Sequence, residues 1–257
     1  MLLAWLIDRR GDYMYANRQE YYRDKYRRLK PQWKVSADIY RDIIDRYADN
    51  GMYILDVGCG HSEDLEPVYA KTNYTYGIDP DRRSIEKNRI IKNKFIASAN
   101  ELPFEDNFFD LVVSSWVLEH LENPKKVFDE IYRVLKPGGK VIFLTPNTWS
   151  YNVWLIRMIP NRLHGIFTRK LYNRHEVETY PVFYRINSPR KFDKLFSSIG
   201  YEKIDVIFNG DPSYISFNDV SFYFACALEE IFDKFFTFAK VHAIGVFQKP
   251  IRLTEEL

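Results

Sequence analysis

The stretch Ile54-Leu55-Asp56-Val57-Gly58-Cys59-Gly60 decides the fold. An apolar run of strand length passes directly into Gly-X-Gly, a turn in which no side chain keeps the backbone away from a ligand. Dinucleotides use the same kind of turn, so Asp56 is what divides the readings. Its carboxylate would repel a pyrophosphate and attract the ammonium of an amino-acid-bearing cofactor. A nicotinamide-type turn also needs a third glycine at its sixth position, where this chain has Glu63.

The next apolar run, 74–78, leads to Tyr76-Gly77-Ile78-Asp79. A carboxylate ending the second strand is placed to accept hydrogen bonds from both hydroxyls of a ribose. Asp79-Pro80-Asp81 also reads as the cap and turn of a following helix. The pattern continues with a helix over 82–92, a short strand over 94–97 and a strand over 108–114. An amphipathic helix over 124–135 sets Val127, Ile131, Val134 and Leu135 on one side. Pro137-Gly138-Gly139 ends it, and a strand follows over 140–145. The rhythm breaks over 146–188, resumes with a helix at 189–199 and a strand at 201–208, breaks again over 209–240 and closes with a strand at 241–248. Upstream, Ile39, Ile43, Ile44 and Tyr47 predict one or two helices within 12–48, closing near Asn50-Gly51. Strands alternating with helices imply an α/β fold with a parallel sheet covered on both faces. Right-handed crossovers place the strand C-termini along one edge, where ligands bind.

Further blocks follow in order: Ser98-Ala99-Asn100-Glu101-Leu102-Pro103-Phe104, Phe108-Phe109-Asp110-Leu111-Val112, Ser114-Ser115-Trp116-Val117-Leu118-Glu119-His120-Leu121 and Leu135-Lys136-Pro137-Gly138-Gly139-Lys140. With them the chain resembles the class I S-adenosylmethionine-dependent methyltransferases, in particular the large subgroup that modifies small molecules. The resemblance covers about residues 50 to 147, and more weakly the final strands. It implies a Rossmann-like, mostly parallel seven-stranded sheet whose last strand is antiparallel. The expected organisation is an N-terminal helical cap (1–50), a cofactor-binding core (51–147), an inserted acceptor lid (148–188) and the rest of the core (189–250), with a helical insertion at 209–240.

The resemblance implies S-adenosyl-L-methionine as cofactor, its methionine part held by Asp56, Gly58, Cys59 and Gly60 and its ribose by Asp79 beside Pro80. Ser98, Ala99 and Asn100 would flank the adenine, and Ser115 and Trp116 would sit beside the sulfonium. The family usually carries Asp where Ser98 stands and often a third Gly where Ser62 stands, so adenine binding lacks charge assistance here. Methyl transfer from an activated donor asks the protein mainly to position the acceptor and exclude water. A hydroxyl acceptor also needs a base, for which His120, His164 and His175 are the candidates. His61 and His242 read as structural. One Glu-His pair makes no metal site, so no metal is expected.

Between Asn147 and Lys194, Trp149, Tyr151, Trp154, Tyr172, Tyr180, Phe183 and Tyr184 alternate with an excess of basic residues. Most of these rings and charges fit a solvated helical cap. The functional reading is a lid over a small-molecule acceptor, anionic or lipid-linked, contacted by Trp149, Tyr184 and Arg185, with Tyr26 closing the other side. Residues 214–240 are rich in Phe but too often charged to span a membrane. They read as a helix packed on the domain, with a homodimer contact or a membrane-surface face as alternatives.

Bulk properties set the outer limits. In 257 residues, 46% are hydrophobic, 28% charged and 17% aromatic, as suits a globular protein whose many rings line a core or a cavity. A net charge of +2, without an Asn-Pro-Pro-Tyr-like block for a flipped base, argues against nucleic acid. Two cysteines, Cys59 and Cys226, give no disulfide framework and fit a cytoplasmic location. The opening apolar run stops at Asp8, too short for a membrane span. The rival readings are a nicotinamide oxidoreductase, which the turn fits poorly, and a scaffold that keeps the fold without catalysis.

Overall fold

The computed structural model describes residues 18–61, 64–157 and 180–251. The chain divides into two compact units. One comprises Ser36–Pro146, Val182–Ile207 and His242–Leu257, and the other Met1–Val35, Asn147–Pro181 and Phe208–Val241.

The sheet contains β1 (Tyr53–Val57), β2 (Tyr74–Asp79), β3 (Asn93–Ile96), β4 (Phe109–Ser115), β5 (Leu135–Pro146), β6 (Glu202–Asn209) and β7 (His242–Gln248). Its seven strands lie in the order β3-β2-β1-β4-β5-β7-β6. β1 through β5 pair in parallel, whereas β7 runs antiparallel to β5 with Pro146 opposite His242. Strand order therefore reverses between β1 and β4, which opens a crevice beyond their C-terminal ends. The antiparallel direction of β7 brings its first residue, His242, to that same edge.

Helices cover both faces. On one lie α2 (Ser36–Tyr47), α3 (Glu66–Tyr69) and α4 (Arg82–Lys87). The spacing of Tyr40, Ile43 and Ile44 gives α2 a buried stripe, which joins Val68 and Tyr69 of α3 in one cluster with Ile54, Val113, Ile142, Leu144, Ile244 and Val246 of the sheet. α4 is shorter than its sequence pattern predicts. Asn88 breaks it by accepting from the backbone N–H groups of Ile90 (3.2 Å) and Ile91 (3.1 Å) while donating to the Gly60 carbonyl (3.1 Å).

On the other face lie α5 (Pro124–Val134), capped by Asn123, and α7 (Pro189–Ile199); α6 (Tyr151–Arg157), which falls between them in sequence, belongs to the other unit. α7 closes on Gly200 at φ +109°. Their Phe128 and Phe196 meet at 4.6 Å between ring centroids, and Phe196 stacks on Phe247 of β7 at 3.9 Å. Gly245 leaves the space that Phe143 fills, since a Cβ there would lie 2.3 Å from Phe143 Cζ. β5 begins at Leu135, earlier than the expected 140–145, and carries Pro137-Gly138-Gly139 within it. Gly138 takes φ +83°, and a Cβ on Gly139 would stand 2.8 Å from the Lys136 carbonyl oxygen.

In the second unit, a helix over 18–29 (α1) and α8 (Asp219–Phe235) share a core of Tyr22, Tyr26 and Phe222 flanked by Trp33 and Cys226. Asn218 and Ser221 form a reciprocal cap at the start of α8. Glu229 is buried on this helix and accepts the Tyr151 hydroxyl at 2.5 Å, and burial raises its pKa to about 7. The outward face of α8, with Val220, Phe224, Ile231 and Phe235, is exposed. No helix among the described residues is long and apolar enough to cross a membrane.

The stacked rings around Phe196 yield the first test. Phe196→Ala should cost about 3–5 kcal/mol, because the site lies between two helices and a strand that cannot all close on the void. Urea denaturation measures it, and a loss below about 1 kcal/mol would show that the cluster is not a keystone of this face.

Candidate functional site

The site begins where β1 ends. Gly58 (φ +74°) and Gly60 (φ +46°) turn the chain back across the end of β2. The backbone N–H groups of Gly58 and Cys59 both donate to the Ile78 carbonyl, at 2.8 and 3.1 Å. A Cβ on Gly58 would sit 2.3 Å from Val117 Cγ2, so this residue must be glycine for steric as well as conformational reasons. Cys59 is buried against Gly77, and burial raises its thiol pKa far above the ordinary range. It packs; it is no nucleophile.

Asp79 stands at the tip of β2, half-buried. Its Oδ2 accepts from Gly60 N at 2.9 Å and its Oδ1 from Asp81 N at 2.8 Å, so both oxygens are fixed by backbone donors. The cap that the sequence allowed for Asp79 belongs instead to Asp81. That carboxylate accepts from the N–H groups of Arg83 and Ser84, and the Ser84 hydroxyl holds its pKa below the usual value. Asp79 is thus not spent on the helix, and its carboxylate stays beside the glycine turn. Pro80 is exposed beside it.

Asp56 lies one turn-step before Gly58, on the face of β1 covered by α2 and α3. Tyr69 donates its hydroxyl to Asp56 Oδ2 at 2.6 Å. Burial raises the Asp56 pKa to about 7; the Tyr69 hydrogen bond opposes that rise and the charge of Asp79 adds to it.

Ala97 N donates to the Asp79 carbonyl, and the loop then passes through Ser98, Ala99 and Asn100. Ser98 is exposed and its hydroxyl accepts from both Asn100 N (3.3 Å) and Asn100 Nδ2 (3.2 Å). Farther on, Arg133 anchors this loop by donating to the carbonyls of Leu102 and Phe104, and Glu130 accepts from Leu102 N. The Leu102-Pro103-Phe104 block is therefore structural.

At the end of β4, Ser115 is half-buried and Trp116 adopts φ +58°, rare for a bulky side chain and costing about 1–3 kcal/mol. Trp116 N donates to the Leu144 carbonyl at 2.9 Å, and its ring meets His242 edge-on at 5.0 Å. His242 Nδ1 lies 2.9 Å from Ser36 Oγ. Nothing in the sequence pattern separated His242 from an ordinary strand residue, because only the antiparallel return of β7 carries it to this edge.

Glu119 is an anchor. It is buried, and its Oε2 accepts the Thr145 hydroxyl at 3.2 Å, while Asn187 Nδ2 donates to the same Thr145 Oγ1 at 2.6 Å. Its carbonyl accepts from Phe183 N (2.7 Å) and Tyr184 N (3.1 Å). The segment carrying Tyr184 (φ +48°) and the exposed Arg185 is thereby tied to the turn after β4. His120 follows, half-buried.

The structure thus gathers Asp56, Gly58, Cys59, Gly60, Asp79, Pro80, Ser98, Ala99, Asn100, Ser115, Trp116 and His120 on one edge. Tyr26 and Trp149 belong to the other unit, where Tyr26 is buried and Trp149 is exposed near Phe238. His164 and His175 lie outside the described residues. No group of three or more His, Cys, Asp or Glu among the described residues is arranged to hold a metal. A shallow cavity lined by Tyr47, Met52, Asp110, Lys136 and Lys140 lies at the opposite end of the strands. There Lys136 pairs with Asp110, which accepts from Tyr53 N, and the arrangement braces the sheet.

Comparison with known proteins agrees with this geometry. Residues 55–143 match the methyltransferase domain family. An uncharacterised protein of Methanocaldococcus jannaschii is 32% identical over 151 residues, which is 58% of this chain and 53% of that protein. A ubiquinone/menaquinone biosynthesis C-methyltransferase of Brucella canis is 32% identical over 136 residues, 48% of this chain and 47% of that enzyme. The chain thus spans about half the length of these relatives. Among solved structures, geranyl diphosphate C-methyltransferase from Streptomyces coelicolor aligns with a TM-score of 0.56 at 12% identity, over 82% of this chain and 80% of that one. At that identity the likeness shows the fold alone. With the family match, the sheet order and the glycine turn together, residues 55–143 form a class I methyltransferase domain, of the kind that uses S-adenosylmethionine.

The steric limit at Gly58 makes a prediction independent of any ligand. Gly58→Ala should destabilise by about 2–5 kcal/mol, combining left-handed backbone strain with overpacking against Val117. In the double variant with Val117→Ala the loss should be smaller than the sum of the two single losses. Strict additivity in a denaturant-melt cycle would show that the two residues do not meet.

Proposed function

We propose that this chain transfers a methyl group from S-adenosylmethionine to a small-molecule acceptor. The observation that carries the reading is Asp79. Both of its oxygens are pre-oriented by backbone N–H groups at the tip of the second strand, beside a glycine turn with no room for a Cβ at residue 58. A carboxylate so held accepts from two neighbouring hydroxyls of a ribose without reorganising.

The remaining roles follow the edge. Gly58, Cys59 and Gly60 admit the amino-acid part of the cofactor to the backbone, and Asp56 faces its ammonium. Ser98, Ala99 and Asn100 border the adenine. Ser115 and Trp116 flank the sulfonium, with the Trp116 ring offering its face to the positive charge. When bound, the cofactor supplies an activated methyl group, and the protein's task is to align the acceptor and exclude water.

For the acceptor we favour an oxygen atom on a sugar, lipid-linked or secondary metabolite with an anionic group. The support is the basic and aromatic composition of 148–188, read as a lid, with Tyr184 and Arg185 as contacts. The base is His120, His164 or His175; of these His120 stands on the cofactor edge, two residues from the turn's Leu118. The family model matches residues 55–143, so the acceptor reading rests on this chain's own residues outside that stretch.

Calorimetric titration with S-adenosylmethionine, S-adenosylhomocysteine and NADH tests the proposal. Both sulfur nucleosides should bind, and Asp79→Ala should weaken them by about 1–3 kcal/mol, the scale of a lost charged hydrogen bond. Binding of NADH alone, or of neither sulfur nucleoside, would overturn the reading.

A further inference from the structure

Resting on that reading, we propose that Tyr69 is the positioning residue for Asp56: α3 presents its hydroxyl to Asp56 Oδ2, which commits one carboxylate oxygen to the protein and leaves the other for the cationic end of the ligand. The geometry is specific. Tyr69 is buried, and its backbone N–H is bonded to the Leu65 carbonyl at 2.9 Å, so its ring is fixed by a helical turn. The 2.6 Å contact to Oδ2 is the one hydrogen bond that Asp56's side chain makes with the described residues, and Oδ1 receives none. Asp56 therefore depends on a single phenol for its orientation, immediately before the glycine turn.

The surroundings explain why a phenol is needed. From α2 the buried Tyr40 faces Asp56, from the turn the buried Cys59, and from the tip of β2 the carboxylate of Asp79. Lys94 of β3 interacts with Cys59. Among the described residues no cation offsets the charge of Asp56, so burial and Asp79 favour its neutral form and, of these groups, the Tyr69 hydroxyl opposes them. A ligand ammonium needs the ionised form. Binding of a ligand with an amino-acid end should thus be coupled to loss of a proton from Asp56 near neutral pH, with Tyr69 setting where that happens.

The test uses two nucleosides that differ in this end. S-adenosylhomocysteine carries the amino acid, whereas 5′-methylthioadenosine keeps the nucleoside and sulfur without it. In the unaltered protein the affinity for S-adenosylhomocysteine should rise about tenfold between pH 6 and 8, as a carboxyl with a pKa near 7 ionises, while that for 5′-methylthioadenosine stays level. In Tyr69→Phe the rise should shift to higher pH, with affinity down several-fold at pH 7 and approaching the unaltered protein at pH 8.5. In Asp56→Asn the pH dependence should vanish, which gives a second readout should Tyr69→Phe fold poorly. A Tyr69→Phe profile superimposable on that of the unaltered protein would overturn the positioning role, as would a sloping profile in Asp56→Asn. Absence of S-adenosylhomocysteine binding in the unaltered protein would instead overturn the parent reading, so the two failures are distinct.

Discussion

A Cβ at residue 58 would lie 2.3 Å from Val117 Cγ2, and this steric limit joins the turn after β1 to the turn after β4. Because residue 58 has no side chain, β1 can bend at φ +74° and lay Gly58 N and Cys59 N on the Ile78 carbonyl. That bend carries Gly60 N to Asp79, and the Asn88 side chain reaches back to the Gly60 carbonyl. Three strands and the loop after α4 are thus coupled through backbone groups of two glycines. The candidate cofactor edge is preorganised by the same contacts that close the fold, so little of its geometry is left to side-chain rotamers.

Buried charge collects at this edge, together with two of the three left-handed non-glycine residues among the described ones. Trp116 and Tyr184 both adopt left-handed backbone conformations, and Glu119 links their two segments through its carbonyl and its contact with Thr145. The charge of Asp79 disfavours ionisation of the buried Asp56, an arrangement that a cationic ligand would relieve. At the far end the charges are matched: Lys136 with Asp110, and Arg133 with Glu130 and Asp106.

The element pattern was legible in the sequence because the parallel core strands are continuous apolar runs bounded by Gly, Pro or Asp, and the α2 and α5 stripes keep helical spacing. Boundaries shifted where a side chain intervened locally. Asn88 ended α4 by capturing two backbone N–H groups, and β5 runs through Pro137-Gly138-Gly139 by a register shift against β4, with Gly138 and Gly139 exchanging backbone hydrogen bonds with Lys249. The blocks that carried the family resemblance divide into two kinds. Gly58, Gly60 and Asp79 belong to the proposed cofactor edge, whereas Leu102-Pro103-Phe104, Asp110 and Lys136 hold the sheet and its loops together. A sequence motif does not distinguish these roles, since both impose fixed residue types.

By itself, the sequence determined the alternation of strands and helices, the glycine turn and the two carboxylates that follow strand-like runs. These are local properties of periodicity and backbone freedom, readable within a few residues. Only the tertiary structure decided which carboxylate caps α4, that Tyr69 and not a cation partners Asp56, and that His242 stands beside Trp116. The cap is settled within one turn by side-chain orientation, whereas the Tyr69–Asp56 hydrogen bond and the Trp116–His242 ring contact join residues distant in sequence and exist only once the crossovers and the antiparallel return of β7 have set the elements side by side.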